Sequence, residues 1–157
     1  MRRSVKIRVF FCLFALLPLQ NSGASLRECP GARWISTEEE GADCPNSWIA
    51  FRRDVELKAL PAVAPVCIAA DTKYWLWING ECVVFEGGLK RGPTPGSTYY
   101  DRVDIAPFLR KGTNRIAVLL WHFGKDGFSH KDSGRAGLLF SATGKRFSLQ
   151  SDSLWLC

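Results

Sequence analysis

From Trp48 onward, apolar and polar residues alternate with the period of an extended strand. Ile49, Phe51, Arg53, Val55 and Leu57 interleave with Ala50, Arg52, Asp54 and Glu56, the pattern of a half-buried strand. Pro61 and Pro65 interrupt the run, and Val66–Ala70 predicts a second, shorter strand. Tyr74–Ile78, Asn79-Gly80 and Glu81–Glu86 together predict a hairpin, because Asn-Gly tolerates the positive φ angles of a type I′ turn. Gly87–Ser97 is loop by composition, and Tyr99–Val103 predicts another strand. Asp104–Leu109 predicts one helical turn, capped by Asp104 and closed by Lys111-Gly112. Asn114–Trp121 is continuously apolar, as a strand buried on both faces would be. His122–Arg135 is a polar loop. Ala136–Ala142, a Thr143-Gly144 turn and Lys145–Leu149 predict a second hairpin, and Leu154–Cys157 begins one more strand. About nine short strands, no long helical period and no internal repeat lead to an all-β fold, a jelly-roll β-sandwich.

The N-terminus has a different character. Residues 1–24 hold Arg2, Arg3, Lys6 and Arg8 and no acid, then the apolar stretch Val9–Leu19, then small residues at Ser22, Gly23 and Ala24. The apolar stretch is too short to span about 30 Å of hydrocarbon as a helix, and the order of regions is that of a secretory signal. The expected organisation is a signal peptide over 1–24, an irregular segment over 25–47 and a β-sandwich over 48–157. The product is expected to be exported to the periplasm, the cell surface or the medium, with no membrane association after cleavage. Four of the 21 Lys and Arg residues belong to this leader, and the rest nearly balance 15 acids, so the formal net charge of +6 does not mark a nucleic-acid surface. Basic residues also fail to interleave with aromatics along one face, as such a platform requires. With 46% hydrophobic and 12% aromatic residues, the chain is neither disordered nor a coiled coil.

Trp77, Asn79 and Gly80, followed by Asp104, Ile105, Leu109, Gly112, Asn114, Ile116, Ala117 and Val118, form the pattern W-x-N-G then D-I-x-x-x-L-x-x-G-x-N-x-I-A-V. Together with the GKDGFSH loop behind it, this run resembles the N-terminal β-sandwich module of bacterial α-L-rhamnosidase-like glycoside hydrolases. It is also similar to the galactose-binding-like, sugar-binding domains that accompany many glycosidases. The likeness covers about Trp48 to Cys157. It implies a galactose-binding-domain-like fold and a non-catalytic, carbohydrate-associated role. The implied partners are a glycosidase catalytic domain or subunit and a plant- or bacterial-type glycan, rhamnose-containing ones included. In such enzymes a helical barrel downstream supplies the acidic pair, so this chain is expected to be a module without its barrel. The alternative is a stand-alone exported lectin-like protein. In its own physics the kernel is structural: Asn79-Gly80 turns, Asp104 caps, and Gly112 and Asn114 shape the return into a central strand.

Candidate chemistry is sparse. Glycoside hydrolysis needs two carboxylates roughly 5–10 Å apart across a cleft. Asp101 with Asp104 and Asp126 with Asp132 are near in sequence, but they read as strand end, cap and open loop, so no catalytic residue is expected. His122 and His130 have no Ser or Cys in a nucleophile-like context, and Gly87-Gly88 precedes a turn rather than a helix. No Cys/His spacing suggests zinc, and neither a metal site nor a cofactor is expected. Cys29 and Cys44, each followed by Pro, are the expected disulfide in an oxidising compartment, whereas Cys67 and Cys82 lie in strands and read as small hydrophobes.

A sugar site would need aromatic faces for the C–H side of a pyranose and polar groups for its hydroxyls. Lys90, Arg91, Tyr99, Tyr100, Trp121, His122, Asp126 and His130 supply both, on two loops that a jelly roll is expected to bring to one end. Lys90, Arg91 and Lys131 read first as solvated loop charges, with docking of a partner as the alternative. Trp75, Trp77 and Trp121 each lie in a strand and read as packing residues. Tyr74, Leu76 and Ile78 share one strand face and Trp75 and Trp77 the other, so this strand is expected to be covered on both sides, one cover being the catalytic domain.

Overall fold

In the computed structural model, residues 7–9, 31–89, 98–128, 130–144 and 147–157 are described. Ten strands follow in chain order: β1 (Ile7–Val9), β2 (Ile35–Thr37), β3 (Ser47–Leu57), β4 (Pro65–Asp71), β5 (Lys73–Ile78), β6 (Glu81–Gly88), β7 (Asp101–Asp104), β8 (Gly112–His122), β9 (Gly137–Gly144) and β10 (Phe147–Gln150). They form two antiparallel sheets. One has four strands in the order β3-β8-β5-β6; the other runs β1-β2-β9-β4-β7, with β10 also paired to β9. This is the all-β sandwich expected from the sequence.

The core lies between the sheets and is built by period-two alternation. Ile116, Val118 and Leu120 of β8, Phe51 of β3 and Tyr74, Leu76 and Ile78 of β5 face inward, at 1% exposure or less. They meet Val66 and Ile68 of β4 and Leu138, Phe140 and Ala142 of β9 from the other sheet. β8 is the organising strand. It pairs with β3 over eleven consecutive residues, from Ser47 opposite His122 to Leu57 opposite Gly112, and with β5 along its other edge.

The kernel residues hold this register. Asn79 (φ 53°) and Gly80 (φ 90°) make the hairpin turn between β5 and β6. The Asn79 amide donates to the Phe108 carbonyl and to Asn114 Oδ1, both at 2.9 Å, and its Oδ1 accepts the Arg115 N–H at 3.0 Å. Asn114 is fully buried; its Oδ1 also accepts the Arg110 N–H, and its amide donates to the carbonyls of Arg110 and Gly112. The two asparagines of the motif therefore bond each other, fixing the turn against the start of β8. Asp104 Oδ1 accepts the N–H groups of Ala106 and Ala64, at the head of a three-residue 3-10 turn, Ala106–Phe108.

Several expectations shift. The segment 25–47, expected to be irregular, contains β2, whose three residues are all buried between neighbouring strands. β1 pairs with it, Ile7 opposite Thr37, so part of the expected leader occupies a sheet edge. Tyr99 and Tyr100 precede β7 rather than belong to it. β9 continues through Gly144, which pairs with Phe147, so Thr143 and Gly144, expected as the turn, are strand residues. Leu156 makes a single bridge to Arg52 on the open edge of β3. Cys67 is buried as expected, whereas Cys82 is exposed, because its side of β6 is the outer one. Cys44 is exposed; Cys29, its expected disulfide partner, lies outside the described residues.

Tyr74 has no exposed surface, and its hydroxyl donates to Asp101 Oδ2 at 2.9 Å. Burial, reinforced by the Asp101 charge, raises its pKa well above the ordinary phenol range. The neutral form is thus favoured in the fold. The stabilisation is complete below pH about 10, where the unfolded phenol titrates, and is lost as pH rises beyond it. Urea unfolding as a function of pH will show stability falling above that value, and Tyr74→Phe will flatten the decline. Asn114→Ala leaves the partners of a buried amide unpaired and will destabilise the fold by about 2–4 kcal/mol in denaturant melts, with Asn79→Ala less severe.

Candidate functional site

The outward positions of the four-stranded sheet carry an aromatic row. Trp48 opposes Trp121 across the β3–β8 pairing. Their rings stack at 4.9 Å between centroids with 9° between planes. Trp48 also stacks on Trp75 of β5 at 5.6 Å, and Trp75 meets Phe85 of β6 edge-on at 6.3 Å. At the other end Phe123 lies against Trp121 at 4.5 Å, and His130 against Phe123 at 5.4 Å. Each such pair is worth about 0.5–1.5 kcal/mol beyond area burial. Five aromatic rings and one imidazole thus cross all four strands and run onto the following loop. Trp75 and Trp121 are half-buried, whereas Trp48 is 50% and Phe85 76% exposed.

Local bonds set the row's shape. Trp121 Nε1 donates to Asn46 Oδ1 at 2.9 Å, which fixes the indole plane. The loop after β8 passes close under the strand entering β3. A Cβ on Gly124 (φ 67°) would lie 2.5 Å from Pro45 Cα, so only glycine lets the chain turn there and set Phe123 on Trp121. Within the loop, Lys131 Nζ sits 2.6 Å from Asp126 Oδ2 and holds that carboxyl below the usual range. His130 Nε2 lies 3.0 Å from the Lys125 carbonyl oxygen. Phe128 is fully exposed.

The two loops expected at one end do have their bases there. The Leu89 N–H donates to the Thr72 carbonyl, and the Phe123 N–H to the Thr72 hydroxyl. Their side chains part company. Tyr100 packs against Cys67, Ala69 and Leu139, on the outer face of the six-stranded sheet, whereas Trp121 lies on the outer face of the four-stranded one. Tyr99 is 57% exposed. Asp126 is exposed and paired with Lys131; Lys90 and Arg91 lie outside the described residues.

The histidines depart from the sequence expectation. His122 follows Trp121 in a strand and must face the opposite way, so it has no exposed surface from which to meet a sugar. His130 is 8% exposed and packed by Phe123. His122 instead lies between two carboxylates, with Nδ1 3.8 Å from Asp71 Oδ1 and Nε2 3.9 Å from Asp132 Oδ1. Those side chains are only 12% and 18% exposed, and an imidazole fills the space a substrate would need between them.

Sequence reasoning missed Trp48, Phe85, Phe123 and Asp71, and it read Asp132 as an open-loop residue, whereas its carboxylate is largely buried beside His122. Trp48 and Phe85 become neighbours of Trp75 only through pairing register; the alternation of Trp75 and Trp77 was the available signal. Trp75 and Trp121 lie half-buried on the outer face of the four-stranded sheet, outside the core between the sheets.

No protein-family model and no curated protein matches the sequence. Among solved structures, a GH78 family rhamnosidase of Bacillus sp. GL1 matches with a TM-score of 0.68 and 33% identity, over 80% of this chain and 13% of that one. Streptomyces avermitilis α-L-rhamnosidase, solved with L-rhamnose, matches at 0.61 and 22% identity, over 97% of this chain and 14% of that one. A lectin from Pleurotus ostreatus, solved with GalNAc, shares the fold at 0.59 and 17% identity, over 81% of this chain and 36% of that one. The chain therefore resembles one β-sandwich module of the GH78 α-L-rhamnosidases and spans a small part of their length.

Replacing both Trp48 and Phe85 by Ser removes three ring pairs and will lower the unfolding free energy by about 1.5–4.5 kcal/mol while the folded far-UV spectrum is kept. The same change will markedly lower the fluorescence of a dye that binds apolar surface, measured on the folded protein.

Proposed function

We propose that the chain is a non-catalytic, carbohydrate-associated module of the α-L-rhamnosidase-like glycoside hydrolases, exported from the cell, and that its aromatic row is the surface that meets the glycan. The observation that carries this reading is the row itself, displayed on a sandwich 33% identical to part of a GH78 rhamnosidase. Flat indole faces suit the C–H face of a pyranose, and apolar patches of this kind mark binding surfaces on soluble proteins. Polar groups stand at the rim of the row. Asn46 holds Trp121, and Lys73 of β5 pairs with Glu86 of β6 at 3.0 Å beside Trp75. Rhamnose-containing glycans are the ligand class the family likeness favours.

The absence of a catalytic role rests on chemistry. Asp71 and Asp132 come close together, but they flank a buried imidazole instead of opening onto a cleft. Export is supported by the basic, apolar and small-residue order of residues 1–24. Cleavage after Ala24 would remove β1, whose pairing among the described residues is with the three residues of β2. The reading with a catalytic domain as the row's partner draws on the same exposed rings. A lectin acting by itself is the further alternative, and its support is a shared fold alone.

A glycan array probed with the purified chain separates these readings. Retention of rhamnose-bearing glycans, lost in the Trp48→Ser/Phe85→Ser variant by tenfold or more, is the expected result. At about 0.5–1.5 kcal/mol for each stacked ring, losing two rings corresponds to a tenfold change or more. Binding of no glycan at all would overturn the sugar surface and leave the row to a protein partner.

A further inference from the structure

We propose that Asp71, His122 and Asp132 bind a divalent transition-metal ion of the zinc class. One ligand atom from each residue lies within 4.8 Å of those of the other two. They come from the end of β4, the end of β8 and the loop after β8, so a shared ion staples that loop to the end of the sandwich. This inference does not depend on the sugar reading.

The imidazole supplies the independent observation. His122 is fully buried, and its Nδ1 lies 3.2 Å from the Asp71 carbonyl oxygen, a contact that requires the N–H to be on Nδ1. In the neutral imidazole the lone pair then belongs to Nε2, which faces Asp132 Oδ1 at 3.9 Å; both are buried, and neither has a hydrogen-bond partner among the described residues. Two acceptors aimed at each other away from water are costly, by about 1–3 kcal/mol for each unmet group. A cation between them turns that cost into two bonds. Histidines that ligate metals generally donate their other N–H to a carbonyl or carboxylate, as Nδ1 does here.

The carboxylates are held in place by the loop backbone. The Gly134 N–H donates to Asp132 Oδ2 at 3.0 Å and the Ser133 N–H to Asp71 Oδ2 at 3.2 Å. Asp71 Oδ1 also accepts from the Thr72 hydroxyl at 3.2 Å. Two carboxylates and a neutral imidazole match a divalent charge. One nitrogen and two oxygens fit zinc, whereas calcium takes six to eight oxygens.

The test uses the full chain, treated with chelator and with the exposed thiols of Cys44 and Cys82 blocked so that they do not compete for metal. Adding ZnCl2 is expected to raise Tm by about 5 °C or more at saturation. Co2+ is expected to give a visible ligand-field band. In Asp132→Asn both responses are expected to vanish while the metal-free Tm is kept, since an Asn amide can donate to Nε2. His122→Gln serves as the second variant. No Zn2+ response in the parent chain overturns the proposal, with a water or shared proton then spanning the gap. An equal response in Asp132→Asn, or a response to CaCl2 in place of ZnCl2, overturns it as well.

Discussion

The structure depends on β8 being paired along both edges. Because β3 and β5 both bond to it, its residues are locked into strict alternation, and each one is committed to the core or to the outside. Asn114, Ile116, Val118, Leu120 and His122 are buried as a consequence, and Ala117, Leu119 and Trp121 form the floor of the outer face. The same alternation separates the two chemically distinct features of the molecule. Trp121 joins an aromatic surface and His122, one residue on, joins a buried polar cluster. A register slip of one residue would exchange them, and the Asn79–Asn114 bond at the other end of the strand opposes that slip.

Both features meet at the turn between β4 and β5. Thr72 accepts the Leu89 N–H through its carbonyl and the Phe123 N–H through its hydroxyl, and its neighbour Asp71 faces His122. The loop after β8 is thereby tied to the sheet end by its first residue through Thr72 and further along by Ser133 on Asp71. Its ring contacts, Phe123 on Trp121 and His130 on Phe123, then extend the aromatic row beyond the strands. Anchored at both ends, the loop holds Phe123 and His130 in place against the end of the sheet.

Much of the fold was legible because strands advertise themselves locally. The alternation of Ile49 to Leu57, the Asn-Gly turn and the apolar run after Asn114 each need only near neighbours to be read. β2 was not legible: Ile35, Ser36 and Thr37 carry no apolar period, and pairing alone makes them a strand. The candidate site was legible in part. Trp121 lies in the row and His130 at its end, but Tyr100 was carried to the opposite face of the sandwich, and His122 was taken inside by the alternation that puts Trp121 outside.

The sequence by itself determined the strand class, the turn that starts the hairpin and the alternation that assigns each strand residue to a face, since these are consequences of backbone geometry over a few residues. Only the tertiary structure decided which residues meet. Trp48 stacks on Trp121 across 73 positions because β3 and β8 pair in one register, and Asp71 reaches His122 across 51 because β4 and β8 end at the same edge of the sandwich. Contacts of that kind are set by strand order and pairing, which no stretch of local sequence contains.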